Sequence, residues 1–464
     1  MPIPALTAKL KRLEMGERFV RRNPFYYSAV ERELSRLEAA DGEARQRWCD
    51  ERVKETLSSA AHTAYGRSVA APRALAQWPL LAKESVRDNP KAFVRNGRWS
   101  GQWFNAHAST GGTTGVPLKL VRSPESVVAE QVCQDQAITH TGIEPRRARI
   151  AVLRADDVKS VSDLDPPYWV YALGGRRLIL SSNHLTERSL PHYVNELRAF
   201  APDLLWVYPT PLESLCLLLQ RTGVDLRVPR VLSSSEVLQP EVWRLAEKLL
   251  GCTVVDRYGQ AERVACAHAF APGEYRFVPG YAYIELIESV REEGSTLYEI
   301  VGTSLWNTAM PLVRYRTGDL IRLPTHYGVN ELREIANGTR SFEGVIGRAN
   351  EVLLGPEGAG VLTGINHLPR GVPNLIRLQV AQERPDLIVL RVLAASGFGH
   401  AEVEQLMRNA RLKIPEAIDV RVELREELER TKGGKTPYVV HGPKVKETLQ
   451  SIRVRAGEQH RGVA

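Results

Sequence analysis

One run of the chain is rich in glycine and hydroxyl residues and leads directly into an apolar stretch. Glycines let backbone N–H groups converge on an anion, and hydroxyls add donors, so this composition is typical of a phosphate-binding loop. It is not a Walker A motif, because Val116 and Pro117 stand where that motif needs Lys and Ser or Thr. An ordinary loop feeding a strand is the alternative. The run consists of Ser109, Thr110, Gly111, Gly112, Thr113, Thr114 and Gly115.

Two further motifs place a carboxylate near an aromatic residue and a glycine. Tyr258, Gly259 and Glu262 belong to Y-G-Q-A-E, which follows a predicted strand over residues 253–256. Side chains there emerge at the carboxyl end of a strand, where open α/β sheets bind ligands. Asp319 ends the segment Y-R-T-G-D, where it could accept hydrogen bonds from a ribose diol. Solvated turns are the alternative for both motifs.

Two basic positions lie toward the C-terminus. Arg348 follows Gly347 at a change of sequence pattern, which is consistent with an interdomain hinge or with a turn. Lys435 follows a glycine pair, close to Lys432, on a loop that we expect to be exposed. Each motif alone is typical of many loops, so their order along the chain carries the information.

The elements that must position these residues fall into successive stretches. Residues 1–100 are predicted to be largely helical, with apolar residues at helical spacing over 27–37 and 43–57. Helices and short apolar strands then alternate, which predicts an α/β domain with a largely parallel sheet. Past residue 281 the pattern becomes strand-rich and indicates a β subdomain. The alternating elements are predicted at 123–141, 149–154, 190–200, 204–208, 211–220, 228–232, 240–250 and 253–256.

The pattern changes again after Arg348. The predicted elements there form a small α+β unit, which has a sensible size for a separate domain. We therefore expect a large N-terminal domain over residues 1–346 and a small C-terminal domain over residues 347–464. The C-terminal elements are predicted as strands at 375–380, 387–393 and 419–424, and as a helix at 400–413.

The composition is that of a soluble globular protein, with 43% hydrophobic and 25% charged residues. The chain has no apolar run of about 18 residues and starts without a secretory apolar core, so we expect a cytoplasmic protein with no membrane partner. Its five cysteines form no CxxC pair, which fits a reducing compartment. The net charge of +8 comes from arginines spread between acidic residues, so we expect no nucleic acid partner.

The order of these motifs resembles the adenylate-forming superfamily, which includes acyl-CoA synthetases, nonribosomal peptide adenylation domains and beetle luciferases. Within it the chain is most similar to phenylacetate-CoA ligases. The likeness covers residues 109–440, and its most specific stretch is N-T-A-M-P-L-V-R-Y-R-T-G-D at residues 307–319. The resemblance implies an enzyme that activates a carboxylic acid with ATP, and an aromatic acid is one candidate. It also implies transfer of the acyl group to a thiol, with coenzyme A as the expected acceptor, and a mobile C-terminal domain.

The resemblance also assigns roles to the motifs, position by position. The glycine-rich loop would surround the β- and γ-phosphates, and Tyr258 with Gly259 would lie against the adenine. Asp319 would hold the ribose hydroxyls, and Arg348 would support the nucleotide at the hinge. The segment beside the adenine would comprise Ser234, Ser235 and Glu236.

Glu262 and Lys435 are the catalytic residues that the resemblance implies. Glu262 would ligate Mg²⁺, which prefers hard oxygen ligands and phosphates. Lys435 would bridge the acyl carboxylate and the α-phosphate as a point charge. Positioning and charge neutralisation are the tasks left to the protein, because adenylation itself supplies a good leaving group. Rotation of the C-terminal domain would then remove the lysine and open a path for the thiol.

Several positions depart from the superfamily pattern. Ala261 replaces the usual threonine of Y-G-x-T-E, which removes a hydroxyl from the α-phosphate site. Leu118 stands where many members have lysine, with Lys119 one position later, and Asn350 replaces the usual acid after the hinge arginine. These changes motivate a rival hypothesis, a degenerate member that binds nucleotide without turnover.

No zinc is predicted. The cysteine pair that some relatives carry after R-T-G-D is missing from residues 320–347. Cys252, Cys266 and His268 are close in sequence, but three ligands without a fourth are more often core residues.

The sequence does not identify the acyl acceptor or the carboxylic acid substrate. Relatives of this fold also load the phosphopantetheine of a carrier protein or hand the acyl group to an amine. The aromatic segments 166–171 and 206–210 would suit a pocket for an aryl or medium-sized acid, and core packing is the alternative for both.

Overall fold

The computed structural model describes most of the chain, which divides into two compact units. The first comprises Met1–Thr110, Pro117–Thr317 and Ile321–Val345, and the second comprises Gly111–Val116, Gly318–Leu320 and Ile346–Ala464. Among the helices described, none is both long and apolar enough to cross a membrane. The described residues are 17–95, 105–109, 118–154, 156, 158–160, 163–182, 184–292, 294–348, 353–354, 361–362, 368–369, 372–411, 414–430 and 436–448.

Helices dominate the N-terminal part of the first unit, as the apolar spacing predicted. Asp41 caps the N-terminus of the helix Gly42–Ala61 by accepting a hydrogen bond from the backbone N–H of Ala44 at 2.7 Å. Thr63 caps the helix Ala64–Ser68 by accepting from the backbone N–H of Gly66 at 2.9 Å. The helices are α1 (Tyr27–Ala39), α2 (Gly42–Ala61), α3 (Ala64–Ser68) and α4 (Lys83–Asp88).

An antiparallel hairpin of β1 (Ala106–Ser109) and β2 (Lys119–Arg122) follows. Ser123 then caps the helix α5 (Pro124–Thr139), which has proline at its first position. The prediction of a loop that feeds a strand and then a helix is confirmed for β2 and α5.

An eight-stranded sheet forms the centre of the first unit, in the order β10-β9-β8-β7-β6-β3-β5-β4. The apolar runs predicted as strands are buried on both faces, as parallel sheets require. The strands are β3 (Ile150–Arg154), β4 (Trp169–Ala172), β5 (Arg177–Ser181), β6 (Leu204–Val207), β7 (Arg230–Ser234), β8 (Thr253–Gly259), β9 (Cys266–Ala269) and β10 (Tyr275–Phe277). The helices between them are α6 (Leu190–Phe200), α7 (Pro209–Thr222) and α8 (Pro240–Leu250).

The sheet is parallel at its centre and antiparallel at both edges. Strands β8, β7, β6, β3 and β5 run parallel, whereas β4 at one edge and β9 and β10 at the other are antiparallel to their neighbours. The predicted α/β fold with a largely parallel sheet is thus confirmed for the five central strands.

A strand-rich part follows, as predicted for the β subdomain. Strands β11 (Ala282–Glu292) and β12 (Ser295–Ser304) pair antiparallel over nearly their full length, and β13 (Tyr315–Pro324) follows in the same sheet. After α9 (Val329–Ala336), the strand β14 (Val345–Arg348) contains the boundary between the two units.

The second unit is a small α+β assembly with its own apolar core. Its main sheet has the order β19-β18-β17-β20, and the helix α10 (His400–Arg411) contributes the buried Leu406 and Ala410 to that core. That this unit is a mobile lid stays a prediction. Its strands are β15 (Leu353–Leu354), β16 (Val361–Leu362), β17 (Leu375–Arg384), β18 (Leu387–Ala394), β19 (Asp419–Leu424) and β20 (Val439–His441).

Candidate active site

Strand β8 includes Tyr258 and Gly259 and does not end before them. Its first part pairs in parallel with β7, and β9 pairs antiparallel with both Tyr258 and Gly259. The prediction that Tyr258 follows a strand ending at Asp256 is therefore wrong. Hydrogen bonds from the antiparallel partner extend β8, and the turn that carries Glu262 follows directly.

Glu262 is a buried carboxylate with two donors on one oxygen. Nζ of Lys83 lies 2.9 Å from Oε1 of Glu262, and the hydroxyl of Tyr315 donates to the same oxygen at 2.9 Å. Burial opposes ionisation, but the Lys83 ammonium and these hydrogen bonds hold the pKa of Glu262 below its ordinary value. The carboxyl group is therefore ionised at neutral pH.

Lys83 reaches Glu262 because a short backbone bridge fixes the start of α4. The N–H of Leu81 donates to the carbonyl of Arg314 at 2.8 Å, and the N–H of Arg316 donates to the carbonyl of Leu81 at 2.9 Å. The bridge holds Lys83, the first residue of α4, beside β13. Sequence reasoning missed Lys83, since a lysine at the start of a short helix belongs to no motif considered there.

The turn that carries Glu262 packs directly on β12. A Cβ atom added to Gly302 would lie 1.9 Å from the carbonyl oxygen of Val264, two residues beyond Glu262. Glycine at position 302 is therefore what allows this close approach of two backbones.

Asp319 lies within a strand. Tyr315 and Asp319 both belong to β13, so the turn alternative for this motif is wrong. Gly318 has a φ of +75°, a left-handed conformation that favours glycine, immediately before the buried Asp319. Pairing along β13 therefore determines where this carboxylate emerges, and its role toward a ribose stays a prediction.

The predicted adenine segment lies where β7 ends. Oγ of Ser234 accepts a hydrogen bond from Nε1 of Trp206 at 3.1 Å, and Ser235 is exposed with a φ of +74°. One oxygen of Glu236 accepts from the backbone N–H of Thr210 at 3.0 Å and from its hydroxyl at 2.6 Å. Thr210 lies in the first turn of α7, where a negative charge is stabilising. Glu236 thus caps α7, and a role beside adenine stays a prediction.

The aromatic residues of the segments 166–171 and 206–210 differ in burial. Tyr168 is buried and stacks on Tyr193, with ring centroids 5.6 Å apart. Trp206 is also buried, and the guanidinium carbon of Arg154 lies 4.6 Å from its ring centre. Tyr171 is half exposed. Tyr168 and Trp206 therefore both belong to buried apolar clusters, and Trp206 and Arg154 lie toward the carboxyl ends of β6 and β3.

The glycine-rich loop begins where β1 ends. Ser109 is the last residue of β1 and is exposed. Leu118, at the other side of the loop, belongs to a buried cluster with Leu120 and Met310, whereas Lys119 is exposed. An apolar environment thus explains why leucine stands at position 118. Six of the predicted phosphate-binding residues lie outside the described residues: Thr110, Gly111, Gly112, Thr113, Thr114 and Gly115.

The remaining predicted residues belong to the second unit. Arg348 is the last residue of β14, and the description does not extend to its side chain. Asn350 and Lys435 lie outside the described residues. Their roles stay predictions.

Three buried or nearly buried arginines surround a carboxylate beside the motif. Arg257 lies 2.8 Å from Oε1 of Glu130, and Arg263 lies 3.8 Å from Oε2. Arg122 donates to the carbonyl of Ala261 at 2.6 Å. Burial opposes ionisation, but Arg257 and Arg263 lower the pKa of Glu130 to about 2. We call Arg122, Arg257, Arg263 and Glu130 the buried arginine group.

Metal-ligating side chains do not cluster in the described part of the chain. No group of three His, Cys, Asp or Glu residues there is placed to hold a metal ion. Sγ of Cys266 lies 3.7 Å from Nε2 of His268, and burial lowers the pKa of His268 to about 3. The absence of zinc stays a prediction. Glu262 fits Mg²⁺, which is commonly held by one or two carboxylates together with substrate phosphates.

Comparison with known proteins finds several sequence relatives, although no family model matches the chain. The phenylacetate-coenzyme A ligase of Pseudomonas putida is 26% identical over 393 residues, which cover 79% of this chain and 76% of that protein. Protein CapK of Staphylococcus aureus is 21% identical over 375 residues, which cover 79% of this chain and 80% of that protein. A crystal structure of 2-hydroxyisobutyryl-CoA ligase, in complex with R3-HIB-AMP in the postadenylation state, has a TM-score of 0.57 at 15% identity. It covers 87% of this chain and 91% of that chain.

The chain has the fold of the adenylate-forming ligases, as the motif order predicted. Within this class its curated sequence relatives include phenylacetate-coenzyme A ligases, so the resemblance drawn from the motifs is confirmed.

Proposed function

We propose that this protein is an ATP-dependent acid–thiol ligase that forms an acyl-adenylate and then transfers the acyl group to coenzyme A. In the first step a carboxylate oxygen attacks the α-phosphorus of ATP, and pyrophosphate leaves. In the second step a thiolate sulfur attacks the acyl carbon, and AMP leaves. The observation that carries the proposal is the buried, ionised Glu262 directly after strand β8, in a chain whose relatives include phenylacetate-coenzyme A ligases.

The role proposed for each residue follows from its charge. Glu262 would hold Mg²⁺, which neutralises phosphate charge when bound. Lys83 and Tyr315 support this role, since their contacts with Glu262 favour its anionic form. Asp319 would accept hydrogen bonds from the ribose, and Lys435 would neutralise charge between the acyl carboxylate and the α-phosphate.

The other nucleotide contacts are proposed along three segments. The glycine-rich loop from Ser109 to Gly115 would donate backbone N–H groups to the phosphates. The ring of Tyr258 would lie against the adenine, and Arg348 would support the nucleotide at the hinge. The segment beside the adenine would be Ser234, Ser235 and Glu236.

We propose an aryl or medium-sized acid as the substrate. Trp206 is buried near the carboxyl end of β6, and the guanidinium of Arg154 lies over its ring. An aromatic acid bound at this end of the strand would pack against these two side chains. The Pseudomonas putida relative is a phenylacetate-coenzyme A ligase, which makes phenylacetate the first acid to test.

ATP–pyrophosphate exchange across aryl and aliphatic acids tests the adenylation step. Exchange is expected with one class of acids in the wild type, and a loss of about 10²-fold or more is expected in Lys435→Ala and in Glu262→Gln. Conversion of the acid with coenzyme A, with a pantetheine-loaded carrier protein or with an amine would then identify the acceptor. If aliphatic acids support exchange and no aryl acid does, the aryl part of the proposal fails.

Ala261 motivates a second candidate, a protein that binds nucleotide without turnover. The missing hydroxyl weakens the α-phosphate site, although Arg122 still holds the Ala261 carbonyl. ATP binding by calorimetry, together with no pyrophosphate exchange for any acid in a broad panel, would favour this candidate over the ligase.

A further inference from the structure

Gln379 is a fully buried residue of β17 whose side chain bonds the main chain at two separate places. Nε2 of Gln379 donates to the carbonyl of Glu429 and to the carbonyl of Pro437, both at 3.0 Å. Oε1 of Gln379 accepts from the N–H of Glu429 at 3.2 Å. A single amide thus uses its donors and its acceptor on the two residues that flank the segment 430–436.

Arg391, on the neighbouring strand β18, bonds both Gln379 and Glu429. It is the cross-strand partner of Gln379 in the ladder of β17 and β18. Nη1 of Arg391 lies 3.4 Å from Oε1 of Gln379 and 3.2 Å from Oε2 of Glu429, and Nη2 lies 3.1 Å from Oε1 of Glu383. Glu429 is therefore held through its main chain by Gln379 and through its side chain by a charge-assisted bond.

The residues at the C-terminal flank of the segment 430–436 bond directly to β17. The carbonyl of Thr436 accepts a bond from Arg377 at 3.4 Å, and the carbonyl of Tyr438 accepts from the N–H of Val380 at 2.7 Å. Strand β20 then continues in parallel with β17. Both flanks of the segment 430–436 are therefore attached to one strand.

We propose that Gln379 is a positioning residue for adenylation that acts through Lys435, two residues before Pro437. The inference rests on the proposed function, in which Lys435 neutralises charge at the reacting atoms. A lysine ammonium sits on a flexible stem, so its placement depends on the backbone that carries it. Gln379 bonds the main chain on both flanks of the segment to which Lys435 belongs.

Gln379→Met is the test variant, because methionine has a similar volume and removes all four hydrogen bonds of the amide, those with Glu429 and Pro437 and the one from Arg391. The matched control is Gln382→Met in the same strand. Gln382 is equally buried, but its Oε1 and Nε2 bond the backbone of Leu354 at 2.7 and 2.9 Å. The two glutamines lie on opposite faces of β17, since side chains alternate along a strand. Both variants lose buried amide bonds, and Gln379→Met alone releases the flanks of the segment.

Three measurements separate positioning from folding. Pyrophosphate exchange is expected to fall about 10²-fold in Gln379→Met, the loss typical of a misplacement of about 1 Å, and less than about threefold in Gln382→Met. Thioester formation from supplied acyl-adenylate is expected to change less than about threefold in both, because Lys435 acts in the first step. Limited trypsin digestion is expected to cleave Gln379→Met faster than the control after Arg430, Lys432 and Lys435.

Equal losses of exchange in the two variants, or unchanged trypsin cleavage in Gln379→Met, would overturn the positioning role. A wild-type protein that exchanges with no acid would instead overturn the proposed function, and the cleavage comparison would still test the anchoring. If Gln379→Met does not fold, Gln379→Glu is the second variant. It keeps the acceptor for Glu429 and removes both donor bonds, so a loss of exchange of about tenfold is expected, with thioester formation retained.

Discussion

Replacing Lys83 with methionine removes the ammonium group that lies 2.9 Å from Oε1 of Glu262. Methionine keeps most of the apolar stem, so the change acts chiefly on charge. The Glu262 side chain is 4% exposed, and the Lys83 side chain is 30% exposed. The variant therefore leaves a buried carboxylate with the hydroxyl of Tyr315 as its remaining side-chain donor among the contacts described above.

The expected cost lies between two limits. Removing one partner of a fully buried ion pair costs about 3–5 kcal/mol, whereas exposed pairs contribute about 0–1 kcal/mol. Water reaches Lys83 but hardly reaches Glu262, so we expect Lys83→Met to lower the free energy of unfolding by about 2 kcal/mol at pH 7.

The effect depends on pH with a defined sign. In the wild type the pKa of Glu262 is lowered, so its stabilisation is present above the unfolded value of about 4.3 and is lost as pH falls through the folded value. In the variant the lowering effect of Lys83 is lost, so the pKa of Glu262 rises relative to the wild type. The stability difference between the two proteins therefore grows from about pH 4 toward pH 7.

A double-mutant cycle of wild type, Lys83→Met, Glu262→Gln and the double variant isolates the pair. All eight tryptophans precede residue 307, so tryptophan fluorescence during urea unfolding reports on the unit that contains both residues. We expect a coupling free energy of about 1–2 kcal/mol at pH 7 and much less at pH 4. A coupling below about 0.5 kcal/mol at pH 7, or one that does not change with pH, would refute this reasoning.

Three further stability predictions follow from buried groups. Burial raises the pKa of Asp256, so Asp256→Asn is expected to stabilise the protein by about 1 kcal/mol at pH 7 and by little at pH 4, measured by urea unfolding. Glu130→Gln is expected to cost about 3–5 kcal/mol at neutral pH, and the wild-type advantage should fade as pH drops toward the pKa of about 2. Gly302→Ala is expected to cost about 3 kcal/mol or more, because its Cβ would meet the Val264 carbonyl, and thermal unfolding would check this.

Local patterns predicted most of the elements in this chain. Apolar runs marked the central parallel strands β3, β6, β7 and β8 but not β5, and apolar residues at helical spacing marked the first helices. Short edge strands such as β4 and β10 escaped prediction, because three or four residues carry too little periodicity. The end of β8 was misplaced because its extension depends on pairing with β9, and such pairing has no local signature.

Short motifs identified residues of the candidate site, whereas the partners supplied by distant parts of the chain were not predicted. Glu262 and Asp319 were identified from short motifs, and both are buried in the structure. Lys83 and Gln379 were not, since a lone lysine or glutamine acquires its meaning from tertiary contacts. Tertiary packing, and not propensity, decides which polar side chains become buried partners.

The buried arginine group has a consequence for the salt dependence of ligand binding. Three guanidinium groups and one carboxylate leave excess positive charge inside the protein, and Arg122 ends on the Ala261 carbonyl of the motif. Counterions screen charges in water over a Debye length of about 8 Å at physiological ionic strength, but they do not enter a protein interior. An anionic nucleotide beside this group would therefore keep more of its attraction in concentrated salt than one held by surface lysines.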